Sequence, residues 1–260
     1  MYKYFITSDI HSFFTIFHNT LIEKGFEENN PNHILIICGD VFDRMDEAFE
    51  LYMFLKRMNK QKRLIYIRGN HEDLLFDCVK QLKEYDGIAE PHHYSNGTVD
   101  TILQFKKANI DINEVLDFIK NNSVNYYELG KYIFVHGWVP YVLEDGYDSE
   151  QVQGEFSCVM TPKILLDADD EMWKQARWYN GMAEWDKGIR IPDKTIVCGH
   201  WHCSWGWSHL RHKYKEFPQL NNKEFKESFQ PFIEDGIIAL DACTAYSKLC
   251  NIIVIDEKNI

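Results

Sequence analysis

Arg68-Gly69-Asn70-His71-Glu72 follows directly on the apolar run Leu64-Ile65-Tyr66-Ile67. Apolar, β-branched and aromatic residues that stop at a glycine read as a buried strand ending in a functional turn. That turn holds a guanidinium, an amide oxygen, an imidazole and a carboxylate, groups that bind metals, move protons or grip phosphate oxygens. Taken alone it is an ordinary polar loop tip. Other strand ends of the same kind give it meaning. Asp9-Ile10-His11 follows the apolar run 4–8, and Gly39-Asp40-Val41-Phe42-Asp43-Arg44 follows 33–38. His136-Gly137 follows 132–135, and Gly199-His200-Trp201-His202 follows 195–198. An aspartate after a strand commonly caps a helix, and a lone histidine is commonly just packed or exposed. Capping does not explain a whole set of such turns, each placed after an apolar strand.

Carboxylate and imidazole without thiolate form a ligand set for manganese, iron or zinc rather than a structural zinc site. The oxygens of Asp9, Asp40 and Asn70 with the imidazoles of these turns are too many donors for one ion. They suit two ions about 3.5–4 Å apart that share one carboxylate. Two cations so close lower the pKa of a bridging water and clamp the attacking and leaving oxygens of an in-line phosphoryl displacement.

The elements that must position these groups alternate. Helical spacing of Phe13, Ile16, Phe17, Thr20 and Leu21 follows the first strand, with Ser12 as a candidate cap and Gly25 as a stop. Further helices are expected over 46–60 and 72–84, where one face is apolar. The resulting β-α-β-α-β-α pattern predicts parallel strands whose C-terminal turns lie along one sheet edge, bringing Asp9, Asp40 and Asn70 together. Residues 85–125 read as a helical insertion covering the site, with 91–97 as a loop and 113–121 as a helix. The adjacent pair His92-His93 falls in that loop and reads as surface rather than ligand. Residues 236–241 and 251–255 read as an antiparallel pair that closes the domain.

Bulk properties set limits. The chain has 260 residues, 45% hydrophobic and 26% charged, enough to bury a full core. A net charge of −12 argues against non-specific nucleic-acid binding, because phosphate would be repelled over most of the surface. The basic cluster Arg211-His212-Lys213-Tyr214-Lys215 is short and reads as a solvated loop. The cysteines at 38, 78, 158, 198, 203, 243 and 250 are odd in number, form no C-x-x-C pair and mostly sit in apolar runs. They read as buried reduced thiols. With no apolar opening segment and no run near the roughly 18 residues of a membrane helix, a cytoplasmic location is expected. The aromatic-rich segment 173–207 reads as an aromatic core or wall, with nucleobase stacking as the alternative.

In the order D-x-H, G-D-x-x-D-R, R-G-N-H-E, H-G, G-H-x-H, the motifs resemble the calcineurin-like metallophosphoesterase superfamily. The arginine forms of the second and third look most like its phosphoprotein phosphatase branch, which includes bacterial serine/threonine protein phosphatases and symmetrical dinucleoside tetraphosphatases. Leu240-Asp241-Ala242-Cys243 through Lys248-Leu249 resembles that branch's closing strands. The resemblance implies an α/β fold: a calcineurin-like four-layer αββα sandwich of two mixed sheets flanked by helices. It would run over 1–260 as one domain with its helical insertion at about 85–125. It further implies Asp9 and His11 on a first metal, Asp40 bridging both, and Asn70, His136 and His200 on the second. His202, a feature of the wider superfamily, would complete the first. Asp43 and His71 would form a carboxylate–imidazole pair, with protonated His71 delivering a proton to the leaving oxygen. Arg44 and Arg68 would grip phosphate oxygens. Arg177 reads either as a third phosphate arginine or as a structural cation–aromatic partner of Trp178 or Trp173.

The implied activity is hydrolysis of a phosphate ester or anhydride by in-line attack of a metal-bridging hydroxide. The enzyme would use two divalent ions (manganese, iron or zinc, with manganese favoured) and act on a phosphoprotein or nucleotide. A cyclic-nucleotide or other phosphodiesterase is the alternative, which the Gly-His-x-His ending permits and the two arginines make less natural. A scaffold that has lost activity would lack ligands or the proton donor, and here every expected ligand and His71 is in place. The chain departs from the branch at Met45, where glycine is usual, and at Trp138, where a small residue is common.

Overall fold

Parallel pairing sets β1 (Lys3–Thr7), β2 (His33–Cys38) and β3 (Leu64–Ile67) side by side, in register from Lys3 opposite His33 and Leu35 opposite Leu64. The computed structural model describes residues 1–143, 162–214 and 222–260. Helical crossovers α1 (Phe14–Glu23) and α2 (Ala48–Lys60) link the three strands, and α3 (Asn70–Glu84) leaves the third. The expected edge therefore exists, and the turns after β1, β2 and β3 share it. The five-stranded sheet is completed by β4 (Ser123–Val124) beside β3 and by antiparallel β12 (Ile253–Asp256) beside β1.

A second five-stranded sheet has the order β10 (Phe232–Glu234), β11 (Ile237–Ala239), β9 (Thr195–Cys198), β6 (Tyr132–Phe134), β5 (Tyr127–Leu129). Its central strands β11, β9 and β6 are parallel and its edges antiparallel. A small ribbon pairs β7 (Tyr141–Leu143) with β8 (Pro162–Ile164).

Strand side chains alternate faces, and the two sheets use that alternation to build layers. Ile6, Ile36, Cys38 and Ile67 from the first sheet pack against Phe134, Val197 and Leu240 from the second. The intervening residues point the other way. Phe5, Leu35, Ile37 and Tyr66 pack under the helices of the first sheet, with Phe17, Leu51, Leu55 and Leu75. Ile133, Ile196 and Cys198 pack beneath α7 (Asp170–Ala176) and α8 (Gly181–Asp186), with Trp173 and Trp185. Helix, sheet, sheet, helix is the expected order of layers. Among the described residues no helix is long and apolar enough to cross a membrane.

Several expectations are corrected. Residues 236–241 and 251–255 do not pair: β11 joins β9 in the second sheet, and β12 joins β1 in the first. The chain crosses between sheets after Leu240, which carries Asp241 to the shared edge. Ser12 is not a helix cap. Phe13 occupies the cap position, and the Ser12 amide is tied to the Val41 carbonyl across the site turns. The stretch 91–97 is not a loop, since α4 (Pro91–Ser95) starts there with proline at its first turn. His93, expected at the surface, is fully buried. Helix α5 (Thr98–Lys107) and α6 (Ile112–Asn122) complete the helical segment. Cys38, Cys78, Cys198, Cys203 and Cys250 are buried free thiols, as expected, while Cys158 and Lys215 lie outside the described residues.

Candidate metal centre

The strand-end turns fold sharply enough to leave their functional residues in the left-handed region. Asp9, His11, Asp40, Asp43, Arg44 and His200 all have positive φ, between 48° and 77°. Aspartate and histidine adopt this conformation more readily than most side chains; for arginine it costs roughly 1–3 kcal/mol, and such backbone recurs at functional sites. Glycines allow the turns to touch. A Cβ at Gly199 would collide with the Ser8 and Asp9 side chains, and one at Gly69 would meet the Asp40 amide at 2.5 Å.

Asp40 is the hub. Its Oδ2 lies 3.8 Å from His11 Nε2 and 3.9 Å from His71 Nε2, and its Oδ1 lies 3.2 Å from His136 Nε2. Donor atoms of His11, Asp40 and His71 lie within 4.8 Å of one another, and so do those of Asp40, His136 and His200. The two groups share only Asp40. Asp9 stands beside both: its carboxylate accepts from the His200 amide at 3.0 Å and from Ser8 Oγ, and lies 4.0 Å from His11 Nε2. Asn70 Oδ1 is 2.8 Å from His136 Nε2. His202 is in neither group, and its Nδ1 meets Ser204 Oγ at 2.6 Å. The His136 ring is oriented by Nδ1–H donating to the Cys38 carbonyl at 2.7 Å, the outer contact typical of a ligating imidazole.

Next to this centre His71 Nδ1 lies 2.7 Å from Asp43 Oδ2, and Arg44 reaches His71 Nε2 at 3.3 Å. Asp43 is itself held by the helical segment: Thr98 and Thr101 hydroxyls donate to its two oxygens, each at 2.9 Å. The segment expected to cover the site thus touches it by buttressing Asp43, with Gly97 packed against the Arg44 backbone.

Glu72, unassigned from sequence, is buried and accepts from the amides of Gly69 at 2.7 Å, Asp40 at 3.1 Å and Val41 at 2.9 Å. It ties the second and third turns together. Asp241, also unassigned, is buried close enough to Asp9 to affect its charge. The signal for it was present, because it too follows an apolar strand, at 236–240.

The arginines divide. Arg44 faces His71, whereas Arg68 pairs with Asp73 Oδ1 at 2.7 Å and stacks over Phe76. Arg177 is buried, donating to Asp73 Oδ2 at 2.8 Å and Asn125 Oδ1 at 2.6 Å. One carboxylate therefore holds both Arg68 and Arg177. Both line a cleft of about 1210 Å³ that also includes Tyr126 and Trp173 and none of the candidate metal ligands. In the aromatic segment Trp173 and Trp185 are core, while Trp178 and Trp201 are exposed and meet the His200 ring edge-on at 5.6 and 6.5 Å.

Charge at the centre is unbalanced without cations. Burial and the neighbouring Asp241 push the Asp9 carboxyl well above the usual range, and burial pushes Asp241 up to about 6. Burial works against the charged form of His136, but Asp40 outweighs it and raises that imidazole to about 10. His71 is raised in the same way, by Asp40 and Asp43 against its burial. Burial, helped by His136, lowers His200 to about 3, and burial with His71 lowers His11. Converging buried carboxylates, some partnered by protonated imidazoles and some driven toward protonation, are a donor set that fits divalent cations. Oxygen and nitrogen donors without thiolate fit manganese, iron or zinc.

A family model described as calcineurin-like phosphoesterase matches residues 2–204. Among solved structures the chain is similar to a cold-active protein-tyrosine phosphatase of a psychrophilic Shewanella species. The identity is 15%, over 100% of this chain and 76% of that one, with a TM-score of 0.55. It is also similar to a protein serine/threonine phosphatase from Saccharomyces cerevisiae, at 15% identity over 77% of this chain and 61% of that one, with a TM-score of 0.47. At such identity the Shewanella likeness concerns the fold alone. No curated protein sequence matches the chain.

Proposed function

The chain belongs to the calcineurin-like phosphoesterase family, and on that footing we propose that its Asp40 centre works with two divalent ions, manganese by preference, on a highly charged phosphate. The substrate class is a phosphoserine- or phosphothreonine-type monoester or a dinucleoside tetraphosphate. The observation that carries this reading is the pair of ligand groups sharing Asp40, set beside the Asp43–His71 pair. When bound, the ions would supply Lewis-acid polarisation of the phosphoryl group and lower the pKa of a water so that it loses its proton and becomes a nucleophile at neutral pH.

The remaining steps belong to this chain's residues. Asp9 and His11 would hold one ion and Asn70, His136 and His200 the other, with Asp40 common to both. Asp43 fixes the His71 ring by accepting from Nδ1, leaving Nε2 to carry a proton toward the leaving oxygen. The raised pKa of His71 favours that protonated form. Arg44, within reach of His71, supplies forked donors to the equatorial phosphate oxygens. Arg68 would extend that grip, with Asp73 and Phe76 fixing its direction. The exposed faces of Trp178 and Trp201 beside His200 offer flat apolar surface to whatever the phosphate is attached to. The buried free thiols support a reducing, cytoplasmic setting.

The test is hydrolysis of p-nitrophenyl phosphate by protein incubated with manganese, followed by a phosphopeptide, diadenosine tetraphosphate and a cyclic nucleotide side by side. The reading predicts turnover of the aryl phosphate and of one of the first two natural types, abolished by chelation. Turnover of the cyclic nucleotide alone would replace the substrate assignment. Inactivity on all of them with metal bound would overturn the reading.

A further inference from the structure

We propose that Asp77, His92 and His93 form a separate site for a divalent transition ion of the zinc type, on the helical segment and outside the Asp40 centre. His92 and His93 are neighbours in sequence, an arrangement that normally splays side chains apart, because consecutive helical residues point about 100° from each other. In α4 their rings instead lie close together, with centroids 4.0 Å apart and planes tilted by 41°. Asp77, on α3, brings a carboxylate to them, and donor atoms of all three lie within 4.8 Å of one another.

The buried member of the group fixes its geometry. His93 is completely inaccessible. Its Nε2 lies 3.2 Å from Asp77 Oδ2, while its Nδ1 has no hydrogen-bond partner. Two donors on one tetrahedral ion stand about 3.3 Å apart, so Nε2 and Asp77 Oδ2 are spaced to share a cation. A simple Asp77–His93 tether accounts for that one contact and leaves the close approach of the His92 ring without a purpose.

Two imidazoles and a carboxylate suit zinc and its neighbours, and Glu90, whose Oε2 is 3.2 Å from His92 Nδ1, adds an oxygen at the start of the same helix. Donors each about 2.1 Å from an ion lie at most about 4.2 Å apart, so a small rotation of partly exposed His92 closes the set. Such an ion would fasten α4 to α3, the helix whose first residues are Asn70 and His71.

The experiment compares the metal content of the full chain and of His92→Ala after equilibrium dialysis against zinc. His92 is partly exposed, so its loss leaves the core intact, and the comparison does not depend on how much metal the Asp40 centre holds. The expected result is one equivalent fewer in the variant, with p-nitrophenyl phosphate hydrolysis unchanged. Asp77→Asn should lose the same equivalent. Equal zinc content in His92→Ala and the parent would overturn the proposal.

Discussion

His71 and Asp43 are joined by a 2.7 Å contact between Nδ1 and Oδ2, and each is buried. Asp43 in turn accepts from two threonine hydroxyls of α5, so the orientation of one imidazole on α3 depends on a helix that follows it in the chain. This couples the helical segment to the proton that the reaction must move.

Replacing His71 by Asn is expected to lower kcat on p-nitrophenyl phosphate by about 10²–10⁴, the usual contribution of a positioned acid. Thr101→Val removes a hydrogen bond to the Asp43 carboxylate, worth about 1.5–3 kcal/mol, and should lower kcat by about tenfold or more with metal content unchanged. Steady-state kinetics on manganese-loaded protein check both. Full activity in His71→Asn would rule out its role as the acid.

Metal binding should release protons. His136, raised to about 10 in the metal-free protein, is protonated at neutral pH, whereas His200, lowered to about 3, is not. An ion taking His136 must displace its proton, so apparent affinity should rise by up to about tenfold per pH unit, for each proton displaced, until pH nears 10. Titration calorimetry in buffers of different ionisation enthalpy measures the protons released at pH 7. Binding without proton release would contradict the charge assignment.

Gly199→Ala should be poorly tolerated, because the added methyl meets Ser8 and Asp9 where the fifth turn packs on the first. Overpacking of this kind costs about 1–3 kcal/mol. Urea unfolding of the metal-free variant should show a midpoint lowered accordingly. An unchanged midpoint would mean the turns are not held as closely as described.

The strands that carry the ligands were legible because they are short runs apolar on both faces: 33–38, 64–67 and 195–198 match β2, β3 and β9. Their partners were not. The segments 236–241 and 251–255 look alike locally, and only long-range pairing sends one to β9 and the other to β1. Helix α4 is not legible in the sequence because Pro91, two histidines and Gly97 read as turn chemistry, while the burial of His93 depends on contact with α3. Glu72 and the pair Thr98 and Thr101 act only through backbone and side-chain partners brought by the fold, so no spacing announced them. Asp241 carries the same strand-end signature as the other turns, which the reading of 236–241 as half of a closing hairpin masks.

The central claim is that one carboxylate, Asp40, serves two ions at once, and metal analysis of Asp40→Asn tests it most directly. After dialysis against manganese, the variant should hold two equivalents fewer than the parent and should hydrolyse p-nitrophenyl phosphate far more slowly. Metal content equal to the parent's would contradict the shared-ligand account.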